Sequence, residues 1–308
     1  MKIFLLIIFY SFYLLFPLII FLSWKLFQQK KKSIELIFLI IVCLFLLWSR
    51  FVESNTLMTK KYNFSVNSNN SEVIEKSTLK LVVFSDIHAG VFANHNTVRK
   101  IVRRVNKLKP DLVIIPGDFV YFAKAENLKK YLGELAEIEA PTLAVLGNHD
   151  YGKKEKDLSR DISSALESSG VLMLDNSIKK LFINNKQIEV AGLADIWTAE
   201  PDYNILNESS DNSDLKLLLA HNPDTAYEIL EQNPEAPKFD LMLSGHTHAG
   251  QIRIPLLYKY IIPTKHSFDK GFYNISGQNV FVTSGLGSSG LPMRLFNFPE
   301  ISLINIDF

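Results

Sequence analysis

Five short polar signatures recur in the chain, each directly behind an apolar run. They are FSDIHAG with Asp86 and His88, PGDFVY with Asp118, LGNHDYG with Asn148 and His149, LAHNPD with His221, and SGHTHAG with His246 and His248. Together they offer carboxylate, imidazole and amide oxygen but no thiolate. That donor set suits Mn, Fe or Zn rather than a soft-metal site or an all-oxygen calcium site. The Asp86/His88 and His246/His248 pairs share an i, i+2 spacing, which predicts that both members project the same way from an extended segment. The glycines beside them let backbone approach closely. Singly, each signature has a plainer use: D-x-H or G-D at a strand end makes a turn or cap, and GNHD makes an Asn/Asp turn. Their conjunction points to metal chemistry, because five of the seven histidines fall inside them. The other two, His95 and His266, are assigned ordinary structural roles.

Bringing these residues together requires strands that end at one place. LKLVVFS (79–85) and DLVIIPG (111–117) are β-branched runs of buried-strand length. Between them, Val98, Ile101, Val102, Val105 and Leu108 recur at helical spacing and stop at Pro110. The unit strand, helix, strand then repeats, with helices expected at 126–138 and about 155–169 and strands at PTLAVLG (141–147) and VLMLD. From residue 172 the texture changes to a hairpin turning at Asn184-Asn185, followed by LKLLLAHNPD, a helix around 224–232, and the runs FDLMLSG, QIRIP, NVFVTSG and EISLINIDF. Many strands with fewer helices predict an α/β fold of two packed sheets, a β-sandwich flanked by helices. In such folds the loops leaving the carboxyl ends of strands converge on one crevice.

The order D-x-H, G-D, G-N-H-D, H, G-H-x-H resembles the calcineurin-like metallophosphoesterase superfamily over residues 79–308. GHTHAGQ, the HNPD around His221 and the closing SGLGSSGLPMRLF resemble its membrane-associated bacterial branch. The resemblance implies a dinuclear centre of two divalent metal ions: Asp86, His88 and His248 on the first, Asn148, His221 and His246 on the second, and Asp118 bridging. It implies that the catalytic residue His149 faces the substrate phosphate. Two such ions neutralise the charge that builds on the attacking and departing oxygens and generate hydroxide at ordinary pH. Asp150 is a candidate to orient His149 and Arg294 a candidate phosphate clamp.

The N-terminus differs in kind. Ile3 to Trp24 is 22 residues without a charge, about 33 Å as a helix, which matches the hydrocarbon core. Its length and its lack of a small-x-small cleavage site favour a retained anchor over a cleaved signal peptide. Leu36 to Ser49 is charge-free for only 14 residues, marginal for a span. Lys25, Lys30, Lys31 and Lys32 between the runs are expected on the cytoplasmic side. A hairpin of two spans therefore puts the rest of the chain outside the cytoplasm. The divisions expected are a membrane anchor at 1–50, a polar tether at 51–78 and a catalytic domain at 79–308.

Residues 1–50 hold six of the 33 basic residues and one of the 32 acidic ones, leaving 27 and 31 for the remainder. That mildly acidic body, without a basic and aromatic groove pattern, argues against a nucleic-acid partner. The lone cysteine, Cys43, rules out an internal disulfide framework. The sequence thus predicts a membrane-anchored two-metal phosphoesterase that hydrolyses a phosphodiester or diphosphate of a phosphorylated, lipid-linked small molecule. Two alternatives stand beside it. One is a diphosphatase acting on UDP-2,3-diacylglucosamine in lipid A synthesis, which requires a cytoplasmic domain. The other is a binding or scaffold module that has lost catalysis.

Overall fold

The structure is a computed structural model that describes residues 1–29, 33–66, 77–152, 157–210 and 212–308. The membrane run opens as α1 (Lys2–Ser11), passes through a 3-10 turn at Phe12–Leu14 and continues as α2 (Leu15–Gln28). α3 (Ile34–Leu47) starts at Ser33, whose hydroxyl accepts from Leu36 N, and continues through wider and tighter turns to Asn55. Both rods, Lys2–Gln28 and Ile34–Asn55, are long and apolar enough to cross a membrane. The second is longer than its charge-free stretch because its polar end packs inside the protein. Ser49, Arg50 and Glu53 are buried.

Residues expected as tether include a strand instead. β1 (Met58–Ser65) pairs in parallel with the C-terminal strand, because Tyr62 and Phe64 alternate inward onto the core between the sheets. Within the expected tether, residues 67–76 lie outside the described residues.

The domain proper runs β2 (Thr78–Val83), β3 (Ala89–Gly90), α4 (His95–Leu108), β4 (Leu112–Pro116), β5 (Val120–Tyr121), α5 (Ala125–Leu132), β6 (Thr142–Val145), α6 (Asn148–Tyr151), α7 (Ser159–Glu167) and β7 (Val171–Met173). It continues with β8 (Ser177–Ile183), β9 (Lys186–Gly192), β10 (Leu215–Leu219), α8 (Thr225–Gln232), β11 (Leu241–Ser244), β12 (Gly271–Ile275), β13 (Gln278–Val282) and β14 (Glu300–Asp307). One sheet is ordered β1-β14-β2-β4-β6-β7 and the other β12-β13-β11-β10-β9-β8. Alternation within strands builds three core layers, the third packing Leu218, Met242 and Val280 of the second sheet against Ala226 of α8. Leu81, Val83 and Ile114 meet Val190, Leu217, Leu243 and Phe281 between the sheets, whereas Val82, Val113 and Ile115 face α4, α5 and α7. α4 shows how the sequence fixes a helix. Asn94 caps it with a capping box, Lys109 ends it at φ 49, and Val98, Ile101, Val102 and Val105 are buried, each contributing about 1.5–3 kcal/mol.

The expected hairpin turns at Asn184 and Asn185, both at positive φ. QIRIP does not form the expected strand. Only Ile252 bridges, to Leu295, and the segment runs out along the surface. GFYNI, unremarked in the sequence, forms the edge strand β12.

Candidate metal centre

The ladders that build the sheets continue past the strand ends and bring the signature loops together. Asp86 N donates to Gly117 O at 3.0 Å, and His88 N to Asp118 O at 3.1 Å, so the loops after β2 and β4 are zipped side by side. In the second sheet Gly245 N donates to His221 O at 2.9 Å. The close approach needs glycine. Gly117 has φ +80, and a Cβ there would lie 2.6 Å from Gly147 N and 2.7 Å from His221 Nδ1.

The paired residues do not project from extended backbone as their spacing suggested. Asp86, His88, His246 and His248 have φ of 54, 51, 69 and 49, and Asp118 has φ 59. Left-handed turns, not strand pleats, bring each pair inward. Such backbone costs on the order of 1–3 kcal/mol per residue and persists where the surroundings hold it.

Asp86, His88, Asp118 and His248 are all buried, with one ligand atom of each within 4.8 Å of the others. His88 Nε2 lies 2.9 Å from His248 Nε2, and Asp86 Oδ1 lies 3.5 Å from His248 Nε2. Asn148, His221 and His246 form a second group. Asn148 Oδ1 is 3.1 Å from His221 Nε2 and 3.0 Å from His246 Nδ1, and those two nitrogens are 3.2 Å apart. Asp118 Oδ2 stands between the groups, 3.5 Å from His88 Nε2 and 3.4 Å from His221 Nε2.

The hydrogen-bond network shows what this packing needs. His221 Nδ1 is 2.8 Å from Pro116 O and His246 Nε2 is 2.9 Å from Pro263 O. A carbonyl only accepts, so each ring carries its proton on that outer nitrogen. When both rings are neutral, the inner nitrogens are left as lone pairs facing each other and Asn148 Oδ1: three acceptors and no donor. A cation between them removes the repulsion, and the residues fit a divalent metal. The titration behaviour divides the ligands into groups that are already deprotonated and groups, Asp86 and His221, whose proton a metal ion would displace. Burial depresses His88 and His246 to about 3 and drives His248 well down. Burial pushes Asp86 up to about 7. Burial alone would lower His221, but Asp118 and then Asp86 outweigh it and lift the ring to about 10. Burial alone would raise Asp118, but the imidazoles of His221, His149 and His88 hold it well below the carboxylate range.

His149 is half-buried at the mouth of the site, its ring 5.0 Å from that of His88 and 4.9 Å from that of Tyr121. Its backbone N donates to Asp118 Oδ1 at 2.8 Å. Asp150 does not orient its ring. Its carboxylate accepts from Val120 N and Gly147 N and so braces the turn. Arg294 is not a phosphate clamp, being 0% exposed. Its guanidinium donates to Gly287 O and Ser284 O, with Nη2 3.4 Å from His248 Nδ1. His266 stacks on Tyr227 and meets Asp224, and His95 opens α4; neither joins the site.

A cleft of about 390 Å³ opens over the two groups, walled by Trp197, Gln251, Ile252, Ile261 and Leu291 beside His149, His246 and His248. Trp197 was missed in the sequence. Its ring stands edge-on to His246 at 4.3 Å. Asp195, which accepts from the N–H groups of Trp197 and Thr198, fixes that turn. GLAD at the end of β9 was the available signal, one more carboxylate behind an apolar run.

Residues 79–250, more than half of the chain, match the family model for calcineurin-like phosphoesterases. The chain is 31% identical over 233 residues to phosphodiesterase YaeI of Escherichia coli, covering 74% of this chain and 82% of that one. It is 29% identical over 233 residues to the Bacillus subtilis metallophosphoesterase YkuE, covering 74% and 78%. It is 32% identical over 240 residues to a Danio rerio transmembrane protein with a metallophosphoesterase domain, covering 73% of this chain and 52% of that protein. The chain belongs to the calcineurin-like phosphoesterase family. It is a metal-dependent phosphoester hydrolase carrying two N-terminal apolar helices.

Proposed function

We propose that the protein is a membrane-anchored phosphodiesterase or diphosphatase that works with two divalent ions on a lipid-linked substrate outside the cytoplasm. Asp86, His88 and His248 would hold one ion, Asn148, His221 and His246 the other, and Asp118 both. The observation that carries this reading is the placement of two groups of candidate ligand atoms, Asp86/His88/His248 and Asn148/His221/His246, on either side of one buried carboxylate. When bound, the ions would supply charge neutralisation of the phosphate and an activated water.

The chain's own residues do the rest. His149 stands at the mouth, where its ring can meet a phosphoryl oxygen or give a proton to the leaving oxygen. Asp118 Oδ1 and Asp150 hold the turn that presents it. Trp197, Ile252, Ile261 and Leu291 line the cleft with apolar surface suited to the non-phosphate part of an amphiphile.

Membrane side is supported by one contact. Lys2 Nζ donates to Phe122 O at 3.0 Å, so the start of α1 and the domain lie together. A single crossing by the Lys2–Gln28 rod would separate them, and a two-span hairpin would not. With Lys25 at the opposite end of the hairpin and positive charge retained in the cytoplasm, the domain falls outside. A cytoplasmic nucleotide-lipid substrate fits this arrangement poorly.

Purified full-length protein with Mn2+ and a chromogenic phosphodiester tests the chemistry, and a topology reporter after Phe308 tests the side. Turnover that requires metal and a reporter active only outside the cytoplasm are expected. A folded, metal-loaded chain without turnover would leave the scaffold reading.

A further inference from the structure

Most large apolar side chains of the domain are buried, but one surface segment breaks that pattern. In the stretch from Ile254 to Ile261, Leu256 is 85% exposed, Tyr260 88%, Ile261 62% and Leu257 60%. Leu256 adopts φ +68, a backbone region that bulky residues avoid, and its side chain stays in solvent. Monomeric soluble domains seldom display such a continuous group of apolar side chains.

Its position relative to the helices identifies what covers it. Arg253 N donates to Leu295 O at 2.9 Å and Leu295 N to Gln251 O at 3.0 Å, so the segment is stitched to the stretch around Leu295. That stretch is locked to the end of the second membrane rod. Ser49 Oγ donates to Arg294 O at 2.7 Å, and Arg294 N to Ser54 Oγ at 2.7 Å. Asn297 N also donates to Glu53 Oε1. The exposed Phe296 meets Phe45 with ring centroids 5.6 Å apart. Phe45 lies five residues back from Arg50 along the rod, about 7.5 Å at 1.5 Å per residue, inside the apolar stretch of α3. The domain surface bearing Phe296 is therefore already at the level of the membrane-spanning helix, and the Ile254–Ile261 segment is its neighbour. Lys259 and Tyr260 supply the basic and aromatic groups that settle at lipid headgroups.

We propose that the Ile254–Ile261 segment is a second membrane contact, its leucines and Tyr260 inserted in the leaflet from which the Ile34–Asn55 rod emerges. Ile261 belongs both to this segment and to the cleft wall, so the mouth of the site sits on the bilayer. A lipid then reaches the metal centre with its phosphate by lateral movement, without leaving the membrane. This inference rests on the reading of a membrane-anchored enzyme given above and assigns its docking surface.

Full-length protein in phosphatidylcholine nanodiscs tests it. On a Cys43→Ser background, single cysteines from Leu256→Cys, Tyr260→Cys and, as control, Phe182→Cys on the edge strand β8 are labelled with an environment-sensitive fluorophore. The labels at 256 and 260 are expected to shift to the blue and to lose emission about twofold in acyl-chain-brominated lipid, with the label at 182 unchanged. Emission at 256 and 260 as water-like as at 182 overturns the proposal. So does shielding without bromine quenching together with cross-links between copies, which would mark a contact between chains. Leu256→Asp and Tyr260→Asp should leave turnover of the water-soluble chromogenic diester unchanged while weakening the insertion signal. The label readout is independent of turnover, so loss of the docking surface and loss of the enzymatic reading are separable results.

Discussion

His246 Nδ1 lies 3.2 Å from His221 Nε2 while the opposite nitrogens of both rings are engaged by the carbonyls of Pro263 and Pro116. Two neutral imidazoles held in this way present lone pairs to one another. Backbone carbonyls from separate loops thus select the metal-binding tautomer before any ion arrives, the usual arrangement by which outer partners orient metal-bound histidine.

Replacing Asp118 tests whether one carboxylate serves both groups. Asp118→Asn should lower the metal-to-chain ratio and reduce kcat/KM on the order of 10³-fold. Elemental analysis of the dialysed protein and steady-state kinetics read the two effects. Full metal content with full activity would remove Asp118 from the centre.

His149→Ala should retain metal and lose kcat rather than KM. With an alkyl leaving group, which needs a proton, the loss should be about 10²–10⁴-fold. With p-nitrophenolate, which leaves unaided, it should be much smaller. Equal losses on both substrates would assign His149 to binding rather than proton transfer.

The pH dependence of metal affinity has a definite sign. Burial raises Asp86 to about 7, and the neighbouring carboxylates lift His221 to about 10. Both groups must shed a proton to become ligands, so metal competes with protons. Affinity for Mn2+ should rise as pH increases from 6 to 8, with protons released on binding. Calorimetry in buffers of different ionisation enthalpy measures that release, and a pH-independent affinity without proton release would contradict it.

Arg294 links the membrane rod to the centre. Its backbone is bound by Ser49 and Ser54, and its guanidinium holds the carbonyls of Ser284 and Gly287 beside His248. Arg294→Met should cost about 2–4 kcal/mol of stability by leaving buried acceptors unpaired and should weaken metal binding at the Asp86/His88/His248 group. Thermal unfolding with and without Mn2+ checks both. Stability within about 0.5 kcal/mol of the parent would show that the buried hydrogen bonds of Arg294 contribute no net stability.

The ligand positions were legible because each stands directly behind a run of buried-strand length, and the sheet topology converts such strand ends into one crevice. How Asp86 and His88 point inward was not legible. A two-residue spacing is compatible with a pleated strand, and it does not reveal the left-handed turns seen, against which Gly245, Gly285 and Gly287 pack closely. β1 was hidden because Lys60, Lys61 and Asn63 face solvent, and its partner β14 lies more than 230 residues away. QIRIP has the alternation of a strand but pairs only through the single Ile252–Leu295 bridge. Arg294 looked like a surface cation because sequence does not reveal that it fills a cage of carbonyls and is anchored by the membrane rod.

The most direct measurement is anomalous diffraction from crystals of the full-length protein saturated with Mn2+. Two peaks are expected, one among Asp86, His88 and His248, the other among Asn148, His221 and His246, with Asp118 reaching both. A single peak, or none at Asp118 in fully loaded protein, would contradict the account.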